Sequence, residues 1–306
     1  MKILVTGGAG FIASQITDAY INAGHQVVVI DNLSTGRKEN LNPDAKFYSL
    51  DINSDEIEQI FKTEQPEIVN HHAAQINVRT SVSNPKLDAT INILGTINLL
   101  EAAKKSGSVK KFIFASSGGA IYGDADTVPT SETYWPNPIS PYGIAKYTVE
   151  HYLYYYHQIY QLPYTALRYG NVYGPRQNPH GEAGVVSIFY QKARDHQPFA
   201  INGAGDQTRD FVFVADVVAA NLAATTTDIT GVFNVGTGIE TSVTQLVDNM
   251  LTTLDQPFTV DHAPAKAGEQ LRSCLDFSKA KSQLNWQPQV TLAQGLERTA
   301  QFFLDK

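Results

Sequence analysis

The sequence has little of what builds covalent cross-links, membrane spans or polyanion-binding surfaces. Among 306 residues one is cysteine, Cys274, so no internal disulfide can form and a reducing compartment is expected. No apolar run approaches the roughly 18 residues of a membrane helix. The opening residues 1–8 show no basic start, apolar stretch and small-residue cleavage site, so a cytoplasmic protein with no membrane partner is expected. Lys and Arg number 23 against 30 Asp and Glu, a formal net charge of -7, which lacks the electrostatic footprint of a nucleic-acid binder. An anionic ligand would need local donors rather than an overall basic field. Metal-ligand spacing is missing too: the adjacent His71 and His72 would point apart at a strand end, and no metal is expected.

What is present is an ordinary globular composition, 42% hydrophobic and 17% charged. Short β-rich runs at 2–6, 26–31, 46–51, 67–71, 110–116 and 164–169 alternate with amphipathic stretches at 13–22, 57–62, 94–105 and 142–160. This alternation predicts an α/β fold, a Rossmann-type doubly wound parallel sheet with helices on both faces. The pattern loosens after Tyr169, where Gly, Pro, Asn and Gln thicken. A dinucleotide-binding unit at 1–169 and a smaller α/β substrate unit at 170–306 are expected. Residues 210–236, which read as helix and strand, are expected to rejoin the first unit.

The first strand runs into Gly7-Gly8-Ala9-Gly10-Phe11-Ile12-Ala13 and then a helix. Gly8-x-Gly10-x-x-Ala13 fits the dinucleotide fingerprint: glycines permit the tight turn and close approach to a pyrophosphate, and the third small residue lets helix pack on strand. A glycine pattern alone can be only a turn. Its place after a strand, and Asp31 at the end of the second strand, 21 residues beyond Gly10, strengthen it. An acid there accepts from ribose hydroxyls and repels a 2′-phosphate, which favours NAD over NADP. Arg37 and Lys38 lie just beyond and could soften that choice, or simply line a solvated loop.

Tyr142 and Lys146, spaced i and i+4, share one face of the helix that Ser140-Pro141 introduces. A tyrosine with its ordinary pKa near 10 is a poor base; a nearby ammonium favours the phenolate and lets it take a hydroxyl proton. By itself the pair could be a surface aromatic beside a solvated lysine. Upstream, the fifth strand ends at Ser116-Ser117, and ligands of open α/β sheets bind at carboxyl ends of strands. Ser117 would bond the substrate hydroxyl and carry its proton toward Tyr142, with Ser116 as the alternative; both could instead satisfy backbone at a strand end.

With these motifs in order, joined by Leu167-Arg168-Tyr169-Gly170-Asn171-Val172-Tyr173-Gly174-Pro175-Arg176, the chain resembles extended short-chain dehydrogenases, most closely the UDP-glucose 4-epimerase group, over nearly its whole length. The resemblance implies NAD held by Gly7, Gly10, Phe11, Ile12, Asp31, Asn32, Asp51, Ile52, Ala73, Asn92, Tyr142 and Lys146. It implies a nucleotide sugar held by Ser117, Tyr142, Asn171, Arg209, Lys266, Glu269, Arg272 and Ser273, and catalysis by Ser117, Tyr142 and Lys146. In that chemistry the hexose 4-hydroxyl loses its proton and hydride, the keto sugar swings over, and hydride returns to the other face. A homodimer formed by helices 94–105 and 142–160 is also implied, with the tyrosine-rich run 152–156 at the interface; the same rings suit a monomer core.

The chain departs from the family at several places. Gly118 stands where many relatives carry the catalytic hydroxyl, four residues before Tyr122, so an extra glycine must let Ser117 reach the site. Lys266 replaces a frequent arginine, and Arg272 is expected to share its work. Ser273 aligns with a position where a bulky tyrosine restricts relatives to plain hexoses, so its small side chain implies that UDP-GlcNAc and UDP-GalNAc are accepted beside UDP-glucose and UDP-galactose. A 4,6-dehydratase would need an Asp-Glu pair where Gly118-Gly119-Ala120 stands. A UDP-glucuronate epimerase or decarboxylase would need a cation for the sugar carboxylate, such as Arg176 or His180. A catalytically silent NAD-binding regulator would commonly lack the tyrosine or lysine that are here.

Overall fold

The computed structural model describes residues 1–180, 184–254, 256–264 and 270–305. Six strands come from the chain up to Tyr169: β1 Lys2–Thr6, β2 Gln26–Asp31, β3 Lys46–Ser49, β4 Ile68–His71, β5 Lys111–Ser117 and β6 Tyr164–Tyr169. A seventh, β7 Gly231–Val235, returns from the later sequence to pair with β6. All are parallel, in the order β7-β6-β5-β4-β1-β2-β3, with the chain reversing direction of growth between β1 and β4. That reversal opens a crevice at the carboxyl ends of the strands.

Both faces of the sheet are covered, which is why its strands read as nearly unbroken apolar runs. Along β1, Ile3 and Val5 pack with α1 (Phe11–Asn22) and the later helix Val214–Thr226, while Leu4 faces the opposite layer. Phe112 and Phe114 of β5 point to that second layer too, and Ile113 and Ala115 to the first. The second layer is built by α2 (Glu56–Glu64), α3 (Gly95–Ser106) and α4 (Pro141–Tyr160). A third core, centred on Phe189, Tyr190, Phe213, Leu246 and Phe303, belongs to α5 (Val185–Arg194), α6 (Val214–Thr226), α7 (Val243–Leu251) and α8 (Leu292–Leu304) with short strand pairs beside them. Leucine, valine and phenylalanine recur at helical spacing in these segments, so each buries one stripe.

The expected elements form, with three differences. Strand 46–51 stops at Ser49, because the Asp51 carboxylate turns the chain by accepting from Asn53 N–H at 2.8 Å. The stretch expected as helix from 210 opens as a strand, Phe211–Phe213, paired in parallel with Asn171–Tyr173 before α6 begins. The helix expected from residue 94 starts earlier, through the π turn Thr90–Leu94, a single widened turn of the kind that often marks functional sites. No helix among the described residues is long and apolar enough to cross a membrane.

Candidate active site

At the carboxyl end of β1 the chain makes a tight turn, Gly10 N–H donating to Gly7 C=O at 2.9 Å with Gly7 at φ 71°. A Cβ on Gly7 would lie 2.8 Å from the Ala73 nitrogen, so only glycine lets the loop after β4 cross here. Gly10 caps α1 without a side chain, leaving the first-turn N–H groups of Phe11 and Ile12 for an anion. Asp31 is buried and fixed by accepting from Ala9 N–H at 3.0 Å and Leu33 N–H at 2.7 Å. Burial raises the Asp51 pKa, but hydrogen bonds from Asn53 and Asn32 outweigh it and hold the carboxyl below its ordinary value. Ile52 is buried against Gly95.

The loop after β4 is held by a hydrogen-bond chain whose proton positions follow from the partners. Thr6 Oγ1 accepts from His72 and Ala73 N–H, at 3.2 and 3.1 Å, so its own proton goes to His71 Nδ1 at 2.7 Å. Thr96 Oγ1 donates to Asn92 C=O at 2.7 Å, so His71 Nε2–H donates to Thr96 at 2.9 Å. Burial lowers the pKa of His71 well below the usual range and that of His72 to about 3, so both stay neutral. Asn92 is buried inside the π turn. Its amide donates to Gln75 C=O and to Asp88 Oδ1, at 2.9 and 3.0 Å, and accepts from Gln75 N–H at 2.9 Å. Its side chain therefore locks the loop at residue 75 and keeps a single oxygen lone pair for anything else.

The residues expected to move the proton lie where β5 and α4 pack together. Ser117 ends β5 and caps the one-turn helix Gly118–Ile121, yet its hydroxyl caps no N–H. A Cβ on Gly118 would fall 2.5 Å from a Leu275 methyl, so any larger residue here would have to displace the Leu275 side chain. Ser140 Oγ accepts from Gly143 N–H to start α4, and a Cβ on Gly143 would lie 2.4 Å from Ala120 C=O. The Tyr142 turn thus packs directly on the Ser117 turn. Lys146 Nζ donates to Ala115 C=O at 2.9 Å and lies 5.7 Å from the Tyr142 ring centroid. Burial lowers the Lys146 pKa to about 8.

Across the crevice, Asn171 N–H donates to Asp210 C=O at 2.7 Å, and its side-chain oxygen stands 3.5 Å from where a Gly119 Cβ would be. Arg209 Nη1 donates to Thr208 C=O. Ser273 is buried, its N–H on Thr208 C=O at 3.2 Å. The buried Asp210 carboxylate accepts from Thr237 N–H and Oγ1, Gly238 N–H and Leu275 N–H, which ties the segments bearing Arg209 and Ser273 together. Arg272 is clasped by Glu240, Nε donating at 2.9 Å and Nη2 at 2.5 Å. Lys266 and Glu269 lie outside the described residues.

Residues 3–236 match the family model described as NAD dependent epimerase/dehydratase family. The chain belongs to the NAD dependent epimerase/dehydratase family. A putative UDP-glucose 4-epimerase of Methanocaldococcus jannaschii is 47% identical over 97% of this chain and 96% of its own. The crystal structure of UDP-glucose 4-epimerase with UDP-glucose from Thermotoga maritima matches at a TM-score of 0.96, 49% identity, over 99% of this chain and 98% of that one. The Thermus thermophilus UDP-glucose 4-epimerase in complex with NAD matches at 0.94 and 41% identity, over 99% of both chains.

The residues present fit this family's cofactor: a bare helix N-terminus at Gly10, a closely crossed Gly7 turn and a buried acid at Asp31 match pyrophosphate and ribose. Sequence reasoning missed the residues that hold the functional ones. Asp88, four residues before Asn92, and Glu150, four after Lys146, were signalled by helical spacing; Gln75, Asp210 and Glu240 act across long sequence gaps that no local pattern reveals.

Proposed function

We propose that this epimerase interconverts UDP-glucose and UDP-galactose, and UDP-GlcNAc with UDP-GalNAc, through a 4-keto sugar. The observation that carries the reading is Lys146, whose ammonium is held between the Ala115 carbonyl and the Tyr142 ring, two residues from Ser117. The fold and the names of full-length relatives support the same reading.

When bound, NAD supplies the hydride acceptor and donor for carbon 4 of the sugar. The chain moves the proton. Ser117 bonds the 4-hydroxyl and passes its proton to Tyr142, whose phenolate the Lys146 ammonium favours. His71 and His72, both neutral, do not compete as acids. Across the crevice, Asn171 and Arg209 would grip the diphosphate, arginine through its paired donors, with Lys266 and Glu269 in support, while Arg272 is engaged by Glu240. A sugar anchored only through its phosphates can present either face.

A uronate substrate is disfavoured by Arg176: its guanidinium is committed to Asp18 at 2.8 Å and to Ser14 Oγ at 3.1 Å, against α1. Ser273 supports the wider sugar range, since a serine leaves space that a tyrosine would fill. Tyr154, Tyr155 and Ile159 stand exposed along α4, and Leu94 is exposed in the turn before α3, which supports a homodimer through α3 and α4.

The test mixes purified protein, without added NAD, with UDP-galactose and UDP-GalNAc separately, and resolves products by anion-exchange chromatography. Both epimers are expected. UDP-glucose alone would remove the wider sugar range. No reaction even with NAD supplied would overturn the epimerase reading.

A further inference from the structure

Residues 174–177 form a four-residue turn, Gln177 N–H donating to Gly174 C=O at 3.3 Å, with Pro175 and Arg176 at its centre. Arg176 sits at φ 69°, in the left-handed region, at the turn position that suits glycine or asparagine. An arginine there is strained, and such strain persists where the surrounding contacts impose it. The guanidinium crosses to α1: Nη1 donates to Ser14 Oγ at 3.1 Å, and Nη2 pairs with Asp18 Oδ2 at 2.8 Å. One residue earlier, Pro175 C=O accepts from Gln15 Nε2 at 2.9 Å. Ser14, Gln15 and Asp18 follow directly on the α1 N-terminus that fits the pyrophosphate.

The other Asp18 oxygen, Oδ1, accepts from Asn42 Nδ2 at 2.7 Å. Asn42 ends the loop that leaves β2 after Asp31, and that loop lies over the glycine turn. Arg37 N–H and Asn40 Nδ2 both donate to Ala9 C=O, at 3.0 and 3.1 Å. A Cβ on Gly36 would stand 3.0 Å from either oxygen of the Asp31 carboxylate. A second tie, Arg37 Nη2 to Asn178 Oδ1 at 3.3 Å, joins the same loop to the residues just beyond the strained turn. We propose that Arg176 is a positioning residue for the dinucleotide: through Asp18 it clamps loop 32–42 and segment 174–178 onto α1, and the clamp sets how slowly NAD leaves. This rests on the placement of NAD along Gly10 and Asp31. For a ribose to leave Asp31 the loop crossing that carboxylate has to lift, and its attachment at Asn42 and Asp18 resists the movement. Arg176 and Asp18 are 29% and 27% exposed, so solvent screens their pairing less than it would a pair on the open surface.

The test follows release of radiolabelled NAD from the holoenzyme into excess unlabelled NAD, for the parent, Arg176→Asn, Asp18→Asn and the double variant. Asparagine is at ease at φ 69°, so Arg176→Asn relaxes the turn while removing its reach to α1. Asp18→Asn keeps an oxygen for Asn42 and removes the charge that faces Arg176. Each single variant is expected to release NAD at least about tenfold faster than the parent. The double variant is expected to stay within about twofold of the faster single, because both lose the same contact. The thermal midpoint of NAD-free Arg176→Asn is expected within about 2 °C of the NAD-free parent. A merely structural tie gives the opposite pattern, a lower midpoint with release at the parent's rate, and that result would overturn the proposal. Release factors that multiply in the double variant would overturn it too. If Arg176→Asn does not fold, Asp18→Asn decides: release as slow as the parent's ends the proposal. Failure of the placement on which it rests is distinguishable, since Asp31→Ala would then hold NAD as long as the parent.

Discussion

The Ser116 hydroxyl donates to Glu150 Oε1 at 2.6 Å, inside the layer between β5 and α4. Side chains alternate along a strand, so Ser117 faces the other way, and the engagement of Ser116 by Glu150 favours Ser117 as the proposed catalytic hydroxyl. Ser117→Ala is expected to lower kcat for UDP-galactose by at least about 100-fold. Ser116→Ala is expected to keep kcat within about threefold while losing about 1 kcal/mol of stability from one buried hydrogen bond. Steady-state kinetics and urea unfolding of both variants check this, and the reverse ranking would move catalysis to Ser116.

Glu150 does more than hold a serine. It receives Arg168 in a two-point contact, Nε at 2.9 Å and Nη2 at 2.6 Å, with both side chains 4% exposed. Arg168 Nη1 continues to Tyr122 OH at 2.7 Å, which donates to Asn234 Oδ1 at 2.8 Å, so α4, β6, the Ser117 turn and β7 share one network. Removing one charge leaves the other buried and unpaired. Glu150→Gln is expected to cost about 3–5 kcal/mol in unfolding free energy, read by denaturant titration. A loss under about 1 kcal/mol would show that the charge is dispensable.

The lines of residues that decide the layers were legible from periodicity, as were the Gly8-x-Gly10 turn, Asp31 and the Tyr142–Lys146 spacing, because each is a local pattern. The path from Lys146 to Ala115 C=O, and the clasp of Arg272 by Glu240, were not. Those pairings are created by bringing together segments 31 or 32 residues apart, and no sequence period encodes them. Asn92 was expected from the resemblance as a cofactor contact, but the use of both its amide protons by Gln75 and Asp88 depends on a π turn that the apolar pattern of 94–105 does not foreshadow. The strand 211–213 was hidden for the same reason: its partner, 171–173, is set by tertiary packing.

Ser273 makes the substrate range testable at one position. It is buried beside the strand that carries Arg209, on Thr208 C=O. Ser273→Tyr adds a ring where the sugar's second carbon is proposed to lie. The variant is expected to keep UDP-galactose turnover within about threefold and to lose at least about tenfold in kcat/KM for UDP-GalNAc, a penalty of about 1.4 kcal/mol. Full activity toward UDP-GalNAc would place the limit on sugar size elsewhere.

Lys146 should cost the fold stability in return for its chemistry. Its pKa falls from an ordinary 10.5 to about 8 in the folded chain, so between those values the unfolded chain binds more protons and stability rises with pH. Below about pH 8 the ammonium stays buried, at a cost on the order of 3 kcal/mol. Lys146→Met removes that charge and fills the space with an apolar chain, while the Ala115 carbonyl loses its donor, worth about 1 kcal/mol. At pH 7 the variant is therefore expected to be inactive yet about 2 kcal/mol more stable than the parent. Lys111 is also lowered to about 8 by burial and adds the same slope to both proteins, so the difference between them isolates Lys146. Urea unfolding at pH 7, 8, 9 and 10 would show the advantage shrinking as pH rises, because the parent sheds its buried charge. A variant less stable than the parent at pH 7 would mean that the carbonyl contact outweighs desolvation, and that the Lys146 ammonium carries no energetic cost to the fold.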